Sequence, residues 1–398
     1  MRARRSLTAL AATALLIPLA ACTQNDVGAA ASGGNGPTTL TVDSSADACA
    51  VSATTAPSGT VVFSVTNSGS EVTEFYLLAA DGLRIVAEVE NVGPGITRDL
   101  VLAAQPGTYQ TACKPGMTGT GQRAEFTVTD SGIEVGPTGE VAEQLATAST
   151  NYVAYVQDQT EQLLVATEAF AAAFLAGDDD AARAAYASTR VHWERIEPVA
   201  ESFGDLDPRM DLREADVEPG TEWTGWHLLE KDLWAPTTEA NGGVAYVPLT
   251  AEQRTQFTDQ LVADTLDLDG RVHADDFTLT ADQIGNGAKS LLDEVATGKV
   301  TGEEEIWSHT DLWDFQANVD GARVAFEGLR DVVAAKDAEL ATTLDERFAD
   351  VQLLLDAHRA GDGFAMYTDL TSDEVRALAN AVDALGEPLS RLTSAVVL

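Results

Sequence analysis

The sequence predicts a multidomain protein, an N-terminal antiparallel β-sandwich followed by an all-α helical bundle, and three observations carry that expectation. From Thr38 to Thr129 apolar residues recur with a period of two, in short β-rich runs such as T-V-V-F-S-V-T-N and T-E-F-Y-L-L-A. Ser131–Gly139, S-G-I-E-V-G-P-T-G, stops that pattern with glycines around a proline. From Glu140 onward the period becomes helical, in long alanine-rich segments. The chain has 398 residues, enough for two or three domains, and its 45% apolar content suffices for packed cores. A formal net charge of −39 argues against nucleic acid as a partner, because phosphates demand a basic surface.

At the N-terminus Arg2, Arg4 and Arg5 precede the apolar run Leu7–Leu16, and Leu19-Ala20-Ala21-Cys22 follows. The run is too short to span a bilayer and reads as an export signal over residues 1–21. The L-A-A-C ending resembles a bacterial lipobox. That implies acylation of Cys22 and a protein lipid-anchored to the outer face of the cytoplasmic membrane. Residues 22–37 are small and polar and read as a flexible tether. The sandwich takes residues 38–130. Seven strands are expected there, set apart by turn residues at Ser58-Gly59, Asn67–Ser70, Asp81-Gly82, Gly93–Gly95 and Pro106-Gly107.

Residues 131–139 form the linker and 140–398 the bundle. Its first helix runs from Glu140 to Ala176 and stops at Gly177. Asp178–Asp180 then acidify the start of a second helix, as its dipole favours. That helix is expected to reach about Phe203, with Pro198 as a kink. Thr250/Gln253, Thr280/Gln283, Thr301/Glu304 and Thr371/Glu374 have capping-box spacing, and Asp337–His358 reads as a further helix. The segment lengths predict about seven or eight helices.

The stretch from Val191 to Trp234 concentrates the chemistry. Glu194/Glu197 and His227/Glu230 are pairs three residues apart, and on a helix each pair shares a face. Carboxylates and one imidazole converging across two helices make an oxygen-rich site with a nitrogen donor, suited to iron, manganese or zinc. The alternative is a solvated acidic face. In the sandwich, Cys49 and Cys113 stand alone in an oxidising compartment, where a disulfide is the default. A metal site is the other reading, with Cys49, Cys113, Met117 and an oxygen from Glu74 or Glu88.

These features resemble known families. The early Cys49 and the C-K-P-G-M-T-G loop at Cys113 resemble a cupredoxin. No histidine precedes His192, however, so a blue-copper centre lacks its imidazoles. Copper or zinc stay as candidates for that domain. E-R-I-E-P at Glu194–Pro198, F-G-D-L-D at Phe203–Asp207, T-G-W-H-L-L-E up to Glu230 and the block Gly302–Gly321 resemble the imelysin-like domain of EfeO-type iron-uptake lipoproteins. The resemblance implies an exported, non-enzymatic protein that captures iron, as Fe2+ or Fe3+, and passes it to an iron permease in the membrane. A haem-dependent peroxidase is a further partner it implies. It implies metal ligands at His227 and Glu230, and facing geometry extends the set to Glu194, Glu197 and Asp211. Two readings of Glu304 stand, a ligand or the acidic member of a capping box. His309, Asp311 and Asp314 could orient ligands. The alternatives are a carboxylate-bridged di-iron ferroxidase, an imelysin-like metallopeptidase and an envelope scaffold. A zincin would need H-E-x-x-H, and here Leu228 and Leu229 fill the middle of H-x-x-E.

Overall fold

The computed structural model describes residues 36–398, apart from Thr118 and Glu218. The export signal 1–21, the acylation site Cys22 and nearly all of the tether lie outside the described residues.

Nine strands form the sandwich: β1 Thr38–Ser44, β2 Cys49–Val51, β3 Thr55–Pro57, β4 Gly59–Asn67, β5 Thr73–Ala79, β6 Ile85–Val92, β7 Thr97–Ala104, β8 Gly107–Pro115 and β9 Gln122–Thr129. One sheet has the order β2-β1-β4-β7 and the other β3-β9-β8-β5-β6. The seven expected strands are all present. β2 and β3 are additional, and at three residues each they are too short to show a period. They also change the topology. β3 leaves the first sheet to pair with β9, so β1–β4 and β3–β9 are parallel while the other pairs are antiparallel. Between the sheets lie Phe63, Phe75 and Phe126, with ring centroids 5.1 and 5.4 Å from Phe63. Beside them Cys49 and Cys113 are joined in a disulfide.

The helices are α1 Glu140–Leu175, α2 Asp179–Glu194, α3 Glu197–Glu201, α4 Asp207–Met210, α5 Trp226–Trp234, α6 Ala251–Val272, α7 Ala281–Thr297, α8 Asp311–Lys336, α9 Ala338–Ala357, α10 Ser372–Leu389 and α11 Leu392–Val397. Three of the expected capping boxes form, at Thr250, Thr280 and Thr371. The fourth does not. Thr301 closes a short turn by donating to the Gly298 carbonyl at 2.6 Å, and no helix begins there. The second helix also differs. It ends at Glu194, and Glu197 opens a separate helix with Pro198 in its first turn, where a missing N–H costs nothing. The expected kink is therefore a break.

α8 runs through the middle of the bundle. Most of it is buried, through apolar residues of its own such as Phe315, Val319, Phe326 and Leu329, but its first turns also bury Asp311, Asp314 and Asn318. Gly321 lets it lie close to the end of α2, since a Cβ there would sit 2.3 Å from the Arg195 carbonyl. The sandwich packs along α7. Asp282 accepts from Ala103 N–H at 2.9 Å, Asn286 donates to the Val101 carbonyl at 3.1 Å, and Arg98 pairs with Asp293 at 3.4 Å. Among the described residues no helix is long and apolar enough to cross a membrane.

Candidate metal centre

The break after Glu194, the start of α5 and the loop before α8 meet in the bundle interior. Gly225 makes the meeting possible. Its φ is +89°, and a Cβ would stand 2.2 Å from the Met210 carbonyl and 2.8 Å from that of Arg209. Only glycine tolerates both conditions. The consequence is that Asp211, one residue on, faces His227 in the first turn of α5. Gly225→Ala is accordingly expected to cost stability by about 1–3 kcal/mol or more and to weaken metal binding at the same time. Denaturant unfolding and a metal titration on one sample would check it. A variant that loses neither would show that this contact does not set the site.

Eight buried carboxyl groups line the resulting nest: Glu194, Glu197, Asp211, Glu230, Glu304, Glu305, Asp311 and Asp314. Three buried trios bring donor atoms within 4.8 Å of one another: Asp211–His227–Glu304, His227–Glu230–Glu305 and Glu194–Glu197–Asp211. The structure thus gathers every expected ligand of the helical domain into one nest. Glu304 is part of it rather than a helix cap. His227 Nε2 lies 3.4 Å from Asp211 Oδ1 and 3.5 Å from Glu304 Oε1, while Nδ1 lies 3.4 Å from Glu230 Oε2.

Two buried cations, which the sequence reading missed, organise these acids. Arg190 pairs with Asp211 and Glu194, and its Nε lies 2.5 Å from Glu305 and 3.8 Å from Asp314. Lys299 holds Glu194 at 2.9 Å and Glu197 at 2.8 Å. Glu194 and Glu197 meet through this ammonium, not through a shared helical face. The signal for Arg190 was available, since it lies four residues before Glu194 on one helix. Lys299 comes from a distant turn, and nothing local announces it.

Burial pulls against ionisation throughout, and the neighbours decide the outcome. Burial favours a neutral Asp211, but the Arg190 guanidinium and His227 outweigh it and hold the carboxyl far below its usual range. Glu304, also buried, is held down to about 2 by Lys299 and His227. Glu197, Glu305 and Asp314 go the other way. Burial, reinforced by the carboxylates around them, pushes each well above its ordinary value. For His227, burial and Arg190 favour the neutral ring, but the Asp211, Glu230 and Glu304 carboxylates around it raise it well above its ordinary value.

In the sandwich the default reading, a disulfide, is what forms, and the alternative metal site is not assembled. The disulfide takes both thiols, so neither supplies a thiolate to copper or zinc. Cys113 is opposite Phe75 in the ladder and faces the core, whereas Glu74 is opposite Lys114. Successive residues point to opposite faces, which separates Glu74 from the cysteines. Its carboxylate instead accepts from the Tyr76 hydroxyl, with Lys114 Nζ 3.8 Å away. Met117 is exposed in the following turn.

Comparison with known proteins agrees with this architecture. Residues 148–392 match the imelysin family. The chain belongs to the imelysin family. Residues 9–128 match the cupredoxin-like domain, and this order, cupredoxin-like before imelysin, is that of an EfeO-type protein. The proteins named iron uptake system component EfeO from Escherichia coli O157:H7 and from Escherichia coli K12 are each 36% identical over 341 residues, covering 85% of this chain and 86% of theirs. Among solved structures, an iron-regulated protein A precursor from Parabacteroides distasonis ATCC 8503 is similar with a TM-score of 0.49 and 15% identity, over 67% of this chain and 97% of that one. Each candidate metal group in the imelysin domain contains at most one histidine among the described residues.

Proposed function

We propose that this protein is the extracytoplasmic iron-binding component of an iron-uptake system, capturing an iron ion in the imelysin nest and passing it to a membrane permease. One observation carries the reading. His227 Nε2 is buried without a hydrogen bond, and carboxylate oxygens of Asp211 and Glu304 stand within 3.5 Å of it. Once its proton is displaced, a buried imidazole nitrogen with two oxygen donors beside it is what a borderline-hard cation such as iron requires. The relatives named as iron-uptake components support the choice of metal. The single imidazole favours a carrier over a zinc peptidase of the H-E-x-x-H type. Export and the lipid anchor at Cys22 belong to the same proposal, as do a permease and a haem-dependent peroxidase as partners.

Anaerobic titration of iron(II) into the mature chain tests it. His227→Ala is expected to lower affinity at least 100-fold, about 3 kcal/mol. Equal affinity in the variant would mean that the ion binds elsewhere. The same titration has a pH signature. Because His227 is raised by its carboxylate partners, an incoming ion must displace its proton. Affinity should therefore fall as pH falls, roughly tenfold per pH unit for each proton released. A flat profile between pH 5 and 8 would exclude the imidazole as a ligand.

A further inference from the structure

We propose that Glu230, the acid of H-x-x-E, positions His227 rather than binding the ion, which is held on the far side of the ring by His227 Nε2, Asp211 and Glu304. This rests on the nest being the iron site.

Both oxygens of Glu230 are already committed. Oε1 accepts from the backbone N–H groups of Trp307 at 3.0 Å and Ser308 at 2.7 Å, so the loop before α8 bolts the carboxylate in place. Oε2 is left facing His227 Nδ1 at 3.4 Å. A histidine that gives one ring nitrogen to a metal usually donates the other N–H to a carboxylate or carbonyl, which fixes ring and tautomer. Glu230 Oε2 stands where that acceptor is needed. The three-residue spacing leads to the same arrangement. Nδ1 is the ring nitrogen nearer the backbone, so an acid one turn later on the same helix meets it and leaves the distal Nε2 free.

The opposite assignment places the ion on Nδ1 with Glu230 and Glu305. It would take Glu230 from two backbone donors. It would also take Glu305 from Arg190 at 2.5 Å, from the Ser308 hydroxyl at 3.0 Å and from the Tyr186 hydroxyl at 3.3 Å. On the Nε2 side Asp211 is also held, by Arg190 and by the Trp193 indole N–H at 2.6 Å, but Glu304 is freer. Glu304 has its nearest cations at 3.5 Å, Arg190, and 3.6 Å, Arg213. Arg213 is one-third exposed, so this side of the nest is also the one nearest solvent, whereas Glu230 and Glu305 are wholly buried.

The test uses Zn2+ as a diamagnetic probe on the mature chain with 15N-labelled histidine. NMR should show His227 Nε2 with the shift of a metal-bound nitrogen and Nδ1 still carrying its proton. Metal on Nδ1 would overturn the proposal, and this result needs no variant. Zn2+ that leaves His227 unmoved would instead refute the nest as the metal site, a separate failure. Glu230→Gln supplies the second measurement. Its amide can satisfy Trp307 and Ser308 but turns an N–H toward Nδ1, favouring the wrong tautomer. Zn2+ affinity should then fall about 10–100-fold, while X-ray absorption of the loaded variant keeps the parent's number and kind of donor atoms. Loss of an oxygen donor in that spectrum would make Glu230 a ligand.

Discussion

Arg190→Met should lower the stability of the ion-free protein by about 3–5 kcal/mol, the usual cost of removing one partner from a buried ion pair. Iron(II) should recover part of the loss. The guanidinium is fully buried and touches Asp211, Glu194 and Glu305, with Asp314 and Glu304 just beyond. Methionine fills much of its volume but leaves those acids facing one another without water. They can escape only by taking up protons, so the penalty should shrink as the pH is lowered. A bound cation supplies the missing charge, and its stabilising effect should be larger in the variant than in the parent. Urea unfolding followed by helical circular dichroism, with and without iron(II) under anaerobic conditions, measures both effects. A variant as stable as the parent without metal would show that Arg190 is not the charge that holds the nest together.

The second large effect is expected in the sandwich. Replacing Cys49 and Cys113 together with serine should cost about 4 kcal/mol, the chain-entropy value for a cross-link of this span. The two residues are 64 apart in sequence, so their bond greatly restricts the unfolded chain. A serine at position 113 would also bury a hydroxyl among Phe75 and Phe126, where it has no apolar advantage. In the parent, thiol reagents should react with neither residue until a reductant is added. The decisive contrast is with metal binding. Iron affinity of the nest should be unchanged in the double variant, measured at a temperature where the sandwich is still folded. A tenfold or greater loss there would tie the cysteines to the metal after all.

Much of this molecule is legible from its residues, and the failures have a common form. Periodicity and turn residues reveal the strands, and helix caps reveal several helix starts, because both are local. Gly177 and Asp178 mark one boundary correctly, with the Asp178 side chain accepting from Ala181 N–H at 3.2 Å. Thr301/Glu304 has the same spacing as a true capping box, yet the acid goes to the nest. A buried imidazole and the Lys299 ammonium offer it more than two exposed backbone N–H groups would. The three-residue spacing of Glu194 and Glu197 predicts their meeting for the wrong reason. Their helix breaks between them, and a lysine about one hundred residues away brings them together. Nor does a list of acids reveal that a positive core neutralises them. That depends on which side chains share an interior, a property of the tertiary packing.

The contact between sandwich and bundle has a mechanical consequence. α7 is fastened to the sandwich at Asp282, Asn286 and Asp293, and its chain leads through Gly298 directly to Lys299, whose ammonium grips Glu194 and Glu197. Seventeen helical residues make a rod of about 25 Å. Such a rod is stiff, and a close-packed interior around it yields little. Sandwich and nest are therefore coupled in series, like a handle and the pin at the end of its shaft. A push on the handle that slides the rod by an ångström stretches salt bridges of 2.8 and 2.9 Å at the pin. The shortest covalent route from the sandwich contacts to the charges of the nest is therefore this one helix.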